Sequence, residues 1–127
     1  MSIDHNPDTV SALRAARDLV EHATRITLDK TALPWPDDAN QAVAALAQMA
    51  AAQAQLTRQL AGHVLRLAKH PGVYHDQLPR DMGIGQAADM AVRCLQAAAD
   101  QATVFGTLLD AAHQHLAHLV IHDGGTE

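Results

Sequence analysis

The chain is short of the residues that several protein classes need. Its 127 residues include one Trp, one Tyr and one Phe, and strands draw heavily on aromatic and β-branched side chains, so a β-sandwich or β-barrel is disfavoured. The single cysteine, Cys94, excludes an internal disulfide and a zinc site built from cysteine pairs. No uninterrupted apolar run approaches the roughly 20 residues of a membrane span.

Basic residues are also few. Nine Lys and Arg stand against fourteen Asp and Glu, a formal net charge of −5, and the basic residues are scattered rather than gathered into the stripe that phosphate binding requires. Nucleic-acid binding is therefore not expected. The first six residues lack the basic-then-apolar order of a signal peptide, so we expect a cytoplasmic protein with no membrane partner.

Small apolar residues dominate what is present. The chain has 26 Ala and 15 Leu, and 48% of its residues are hydrophobic, which excludes the composition of a disordered chain. This length and composition predict one all-α domain over residues 1–127, with flexible termini at 1–5 and 123–127.

Proline-bearing breaks divide the chain into three predicted helices, over residues 7–31, 36–69 and 84–121. Asn6 is the predicted cap of the first, with Pro7 at its first position. Pro34 and Pro36 separate the first helix from the second, and Pro71 ends the second. Short connections favour antiparallel neighbours, so the prediction is an up-down-up three-helix bundle with a long helical hairpin formed by the second and third helices.

Apolar residues recur every three or four positions and predict the buried stripe of each helix. In the first helix the stripe is Leu13, Ala16, Val20, Ala23 and Thr27, widened by Ala12, Leu19 and Ile26. In the second it is Ala42, Leu46, Met49, Gln53, Leu56, Leu60, His63 and Leu67, broadened by Val43, Ala50 and Val64. In the third it is Ile84, Ala88, Ala91, Leu95, Ala98, Ala102, Phe105, Leu109, Ala112, Leu116 and Leu119.

The predicted lengths indicate self-association. The first helix is about 15 Å too short to cover the hairpin, so part of the hairpin's apolar stripe needs the 71–82 loop, a bend or a second copy of the chain. Alanine-rich stripes also bury little area per residue. A homodimer that packs hairpins together is the expected solution.

A histidine-rich end of the third helix is the densest candidate for chemistry. His115, His118 and His122 have the spacing that lets imidazoles share one Zn²⁺ or Ni²⁺, and Asp110, Asp123 or His22 could complete such a site. His113 belongs to the same group. The competing interpretation is solvent-facing histidines that interact with the negative end of the helix dipole.

Four further residues each have two possible interpretations. Trp35 and Tyr74 are candidate partner-binding anchors, or plug the bundle and its loop. His63 falls on the stripe near Cys94, as a buried histidine or as half of a thiol–imidazole pair. Gln53 sets helix register or bonds across the bundle.

One glycine stands inside a predicted helix. Gly106 either permits close approach of a neighbouring backbone or is a tolerated weak position that costs about 1 kcal/mol relative to alanine.

No catalytic constellation stands out, so the expected function is a non-enzymatic protein–protein interaction module with an unknown protein partner. The alternative is a metal, small-molecule or pH-responsive binding protein that uses the histidine-rich end. An enzyme whose site forms across a dimer interface is a third possibility.

Overall fold

The chain folds into three helices and, over the residues that the structure describes, no strands. The computed structural model describes residues 8–70 and 83–119. The helices are α1 (Thr9–Ile26), α2 (Pro36–Ala68) and α3 (Ile84–Leu116). The predicted all-α class is confirmed. No helix in the described ranges is both long and apolar enough to cross a membrane.

The start of α1 is fixed by a side-chain cap. Asp8 has an extended backbone, and its carboxylate accepts a 2.7 Å hydrogen bond from the Ser11 backbone N–H. The cap is therefore Asp8 and not Asn6, because Asp8 reaches the free N–H groups of the first turn. This hydrogen bond lowers the pKa of the Asp8 carboxyl below its ordinary value of 3.8.

We predict that acid weakens the start of α1. Because the folded-state pKa of Asp8 is depressed, the charged cap stabilises α1 fully above pH 3.8 and is lost as the pH falls through the lower folded-state value. NMR should show the Ser11 amide shift titrating with a midpoint below 3.8. Asp8→Asn keeps a capping oxygen and should abolish the titration. A midpoint at or above 3.8 would contradict the cap.

The end of α1 lies earlier than predicted. The helix ends at Ile26 rather than 31, and turns follow it. The Thr27 hydroxyl donates to the carbonyls of Ala23 and Thr24 in the last turn. Asp29 then accepts hydrogen bonds from the backbone and hydroxyl of Thr31, an Asx-type turn that replaces helical bonding.

The other two helices have equal length. Each has 33 residues, which gives about 50 Å at 1.5 Å per residue. α2 begins at Pro36, as predicted, with Asp37 and Asp38 in its first turn, where carboxylates favour the helix dipole. α3 ends at Leu116, and residues 117–119 form a turn, so the predicted end at 121 is too late; residue 121 itself lies outside the described ranges.

α2 and α3 pack against each other along faces made of small residues. The fully or nearly fully buried side chains of the described residues are all alanine or valine: Ala47, Ala50, Ala54, Ala61, Ala88, Val92 and Ala99. The two helices approach closely at Gly106, where a Cβ atom would lie 3.3 Å from the Ala50 Cβ and 3.6 Å from the Ala47 carbonyl oxygen. Gly106 therefore permits close backbone approach, the first of its two predicted roles.

The buried face of α2 lies one residue away from the predicted stripe. Burial follows Val43, Ala47, Ala50, Ala54, Thr57, Ala61, Val64 and Ala68, whereas the prediction ran through Ala42, Leu46, Met49, Gln53, Leu56, Leu60, His63 and Leu67. One residue is a rotation of 100° about the helix axis. The main line of the prediction was wrong because both sets have the same spacing and the larger side chains were preferred. Its broadening positions Val43, Ala50 and Val64 are nevertheless buried or half-buried, and Leu56 and Leu60 are half-buried.

The α3 prediction is correct at alternate positions. Ala88, Leu95, Ala102, Leu109 and Leu116 are buried or half-buried, as predicted. Positions 91, 98 and 105 are exposed and give way to Val92, Ala99 and Gly106, whereas Ala112 is half-buried as predicted, next to the half-buried His113. Phe105 is consequently 47% exposed. A side chain of that size does not fit where two helix backbones nearly touch.

α1 does not pack on the other helices. Among the described residues it makes no contact with α2 or α3, and each of its residues is exposed. The packed unit here is thus the α2–α3 pair, and the third layer of the predicted bundle is not formed. The predicted flexible termini 1–5 and 123–127 lie outside the described residues.

Candidate interaction surface

The α2–α3 pair has a polar flank on one side. A groove there is lined by polar side chains of both helices and floored by alanines and Gly106. The polar side chains are Gln48, Gln55 and Arg58 of α2, and Thr103, Thr107 and Asp110 of α3. Arg58 spans the groove edge, donating to the Thr103 hydroxyl at 3.2 Å and approaching the Asp100 carboxylate at 3.5 Å. Both partners are largely exposed, so the ion pair adds little stability.

The opposite side of the pair is an apolar flank. Helical periodicity places there the residues on the other side of each buried face: Leu46, Met49, Leu56 and Leu60 of α2, with Ala91, Ala98, Phe105 and Leu108 of α3. Gln53 of α2 and Cys94 and Gln101 of α3 lie on the same side. Several are open to solvent, including Leu46 at 39% and Leu108 at 65%. Large side chains thus lie outside the core while alanines fill it.

The α3 half of the apolar flank carries no charge. The charged residues of α3 are Asp89, Arg93, Asp100 and Asp110, and all four project toward the side of the polar flank. Asp89 and Arg93 pair with each other one turn apart, at 3.1 Å. Covering the apolar flank therefore removes no charged group of α3 from water.

α1 presents a second apolar surface. At 100° per residue, its apolar residues occupy one side, and the charged residues Arg14, Arg17, Asp18, Glu21 and Arg25 occupy the other. Leu19 is 68% exposed and Ile26 is 50% exposed. The predicted stripe of α1 thus exists as a pattern and has no partner within the described residues.

Trp35 lies between the two apolar surfaces. It precedes the first residue of α2 and is 56% exposed, so it does not plug the α2–α3 pair. Leu28 and Leu33 in the same connection are also exposed. An exposed tryptophan held between two prolines suits the partner-anchor role. Tyr74, the second predicted anchor, lies outside the described residues.

The histidine-rich end forms no recognisable metal centre in the part that the structure describes. His115 and His118 are exposed, and no group of three or more His, Cys, Asp or Glu side chains with metal-binding geometry occurs among the described residues. His22 lies on α1, which makes no contact with α3 among the described residues. His122 and Asp123, which the predicted site also uses, lie outside the described ranges.

The predicted His63–Cys94 pair is not buried. Both residues are exposed, because the buried face of α2 runs through Ala61 and Val64 instead. His63 Nδ1 lies 2.9 Å from an Arg66 guanidinium nitrogen. Gln53 is likewise exposed and takes no part in the α2–α3 packing, so its predicted role in helix register is wrong.

Sequence reasoning missed a buried polar position at the C-terminal part of α3. His113 faces α2, and its Nδ1 is buried with no hydrogen-bond partner among the described residues; the same holds for Asn40 Oδ1 on α2. The signal in the sequence was spacing: residue 113 continues the series 102, 106, 109 of the packed face of α3. An unsatisfied buried polar atom lowers stability.

We predict that His113→Leu stabilises the chain. Leucine fits the half-buried position between Leu109 and Leu116 and removes the unsatisfied nitrogen, so the free energy of unfolding should rise by about 1 kcal/mol. Tm should rise by about 3–5 °C in a calorimetric scan. His115→Leu, at an exposed position two residues away, is the control and should not raise Tm. A destabilised His113→Leu chain would show that the ring is bonded.

Comparison of the chain with protein-family models, with curated proteins and with solved structures gives no match.

Proposed function

We propose that this chain is a non-enzymatic helical interaction module that self-associates as a homodimer. The observation that supports the proposal is that small apolar side chains are buried while large apolar side chains are exposed. Alanines fill the core, while Leu46, Met49, Phe105 and Leu108 stay exposed on one flank and α1 exposes its whole apolar side. Contiguous exposed apolar surface on this scale is typical of association sites.

We also propose that α2 and α3 form an antiparallel hairpin. The residue numbers of the contacting pairs support the antiparallel direction. Arg58 lies beside Asp100 and Thr103, whereas Ala47 and Ala50 lie beside Gly106. Moving toward the start of α2 thus moves toward the end of α3. The order places Trp35 at the same end of the hairpin as the histidine-rich turn.

A further protein partner belongs to the same proposal. Trp35 and the apolar side of α1 are separate from the α2–α3 packing, so both remain accessible when hairpins associate. Tryptophan is enriched among the residues that dominate binding energy. Trp35 is therefore the residue that we assign to partner capture.

Sedimentation velocity of the full chain tests self-association. We expect the mass of a dimer at micromolar concentrations, with dissociation toward 13.5 kDa monomers on dilution. The helix content measured by circular dichroism should stay constant over the same range where dimers persist. A monomer at every concentration up to the millimolar range would contradict the proposal.

A further inference from the structure

The dimensions of the apolar flank limit what can cover it. Two helices of 33 residues lying side by side form a face about 50 Å long and about 18 Å wide, given helix diameters near 10 Å and axes about 8 Å apart. The face therefore offers about 900 Å². A stable protein–protein interface takes about 800 Å² from each partner, so the flank alone is large enough to hold a dimer.

α1 is too small to cover this face. Its 18 residues give a rod about 27 Å long and about 10 Å wide, which covers roughly 270 Å², or about a third of the flank. If α1 folded back onto its own hairpin, most of the flank would stay bare. The occupant must be about as long as α2 and two helices wide, and within this chain only the α2–α3 pair has those dimensions among the described helices.

We infer that the apolar flank of the α2–α3 pair packs against the same flank of a second copy, which gives a four-helix bundle at the centre of the dimer. This inference rests on the proposed self-association and specifies its surface. Phe105, Leu108, Leu46 and Met49 become core residues of that bundle. α3 brings no charge to this contact, because its charged residues all project toward the other side.

The same arrangement determines where the polar flanks and α1 lie in the dimer. A two-fold axis makes the interface isologous, so the two copies contact each other through the same set of side chains. The polar flanks, with Gln48, Gln55 and Thr107, then face solvent on the outside of the bundle. α1 remains outside the central four helices and keeps its apolar side for contacts at the rim or for another protein.

Paired glutamate substitutions on neighbouring residues provide the test. Phe105→Glu and Met49→Glu place a charge in the inferred interface, whereas Thr107→Glu and Gln48→Glu place the same charge on the polar flank of the same helices. In sedimentation equilibrium, the two apolar-flank variants should weaken dimerisation at least about 100-fold, the loss typical of a central interface residue. The two control variants should stay within about threefold of the wild-type chain.

A third position separates this inference from self-association in general. Leu13→Glu puts a charge on the apolar side of α1 and should leave the dimer within about threefold of wild type. If Leu13→Glu abolishes the dimer while Phe105→Glu and Met49→Glu do not, the inferred surface is wrong and self-association through α1 stands. A wild-type chain that never dimerises overturns both.

A distance measurement covers the case in which an apolar-flank variant loses its helices. Cys94, the chain's one cysteine, falls between Ala91 and Ala98 on the apolar flank, so a label there would lie inside the inferred contact. A Cys94→Ala, Gln96→Cys chain instead carries a single nitroxide label beside Arg58 and Asp100, on the polar flank. Position 96 lies about 6 Å along α3 from the helix midpoint, so in either relative direction of two packed hairpins the two labels should give one distance below about 40 Å. A longer or broadly distributed distance overturns the inference.

Discussion

Replacing Ala50 with leucine should lower the free energy of unfolding by about 3 kcal/mol, the upper end of the range for overpacked cores. Ala50 is 0% exposed and its Cβ lies against Gly106, where α2 and α3 approach closely. Leucine adds three carbon atoms where no space exists, so the helices must separate. Separation loses contacts along the whole alanine face, because many small dispersion terms depend on that spacing.

Ala52→Leu is the matched control for Ala50→Leu. It lies two residues further along α2 on the exposed side, and leucine and alanine have similar helix propensity, so its effect should stay within about 0.5 kcal/mol. Urea titrations at one fixed protein concentration measure both, since the stability of a self-associating chain depends on concentration. Equal small effects at the two positions would mean that Ala50 is not at a tight interface.

The two helix-interior glycines should respond in opposite directions to larger side chains. At Gly62 a Cβ would meet only the Arg66 guanidinium, at 3.9 Å, so Gly62→Ala should stabilise the chain by about 1 kcal/mol through helix propensity alone. At Gly106 the same gain is opposed by the 3.3 Å contact with Ala50, so Gly106→Ala should lie within about 1 kcal/mol of wild type. Gly106→Leu should destabilise by about 3 kcal/mol.

A double-mutant cycle identifies the contact responsible. In an Ala50→Gly background the nearest atom to the new Cβ is gone, so Gly106→Ala should become more favourable than in the wild-type chain by about 1 kcal/mol. Chemical denaturation of the wild-type chain, the two single variants and the double variant gives the coupling free energy between positions 50 and 106. Zero coupling, or a Gly106→Leu chain as stable as wild type, would contradict the close approach of the two helices.

The sequence predicted the helices better than the faces by which they pack. Pro34, Pro36 and Pro71 fix the breaks, and the apolar spacing identifies three helices within a few residues of their ends. The spacing does not choose between Leu46–Met49–Gln53 and Ala47–Ala50–Ala54, since both sets recur every three and four residues. Side-chain size favoured the first set, whereas the helices approach closely enough for alanine and glycine.

The candidate surface follows from that difference and could not be predicted in detail. A rotation of 100° moves Leu46, Met49 and Phe105 from the core to an apolar flank, and moves His113 from the surface to the packed face. The exposure of Trp35 and the absence of contacts to α1 depend on tertiary packing, which local periodicity does not encode. The predicted need for a second copy was derived from helix lengths, and that length argument applies to the observed flank as well.

One NMR measurement tests the packing from which the apolar flank is inferred. In an isotope-edited spectrum of the full chain, the Ala50 methyl protons should show a strong cross-peak to the Gly106 Hα protons, because the two positions are in van der Waals contact. If that cross-peak is missing while other contacts between α2 and α3 are seen, the alanine faces do not meet. The flank assigned to a second copy would then be the core of the single chain.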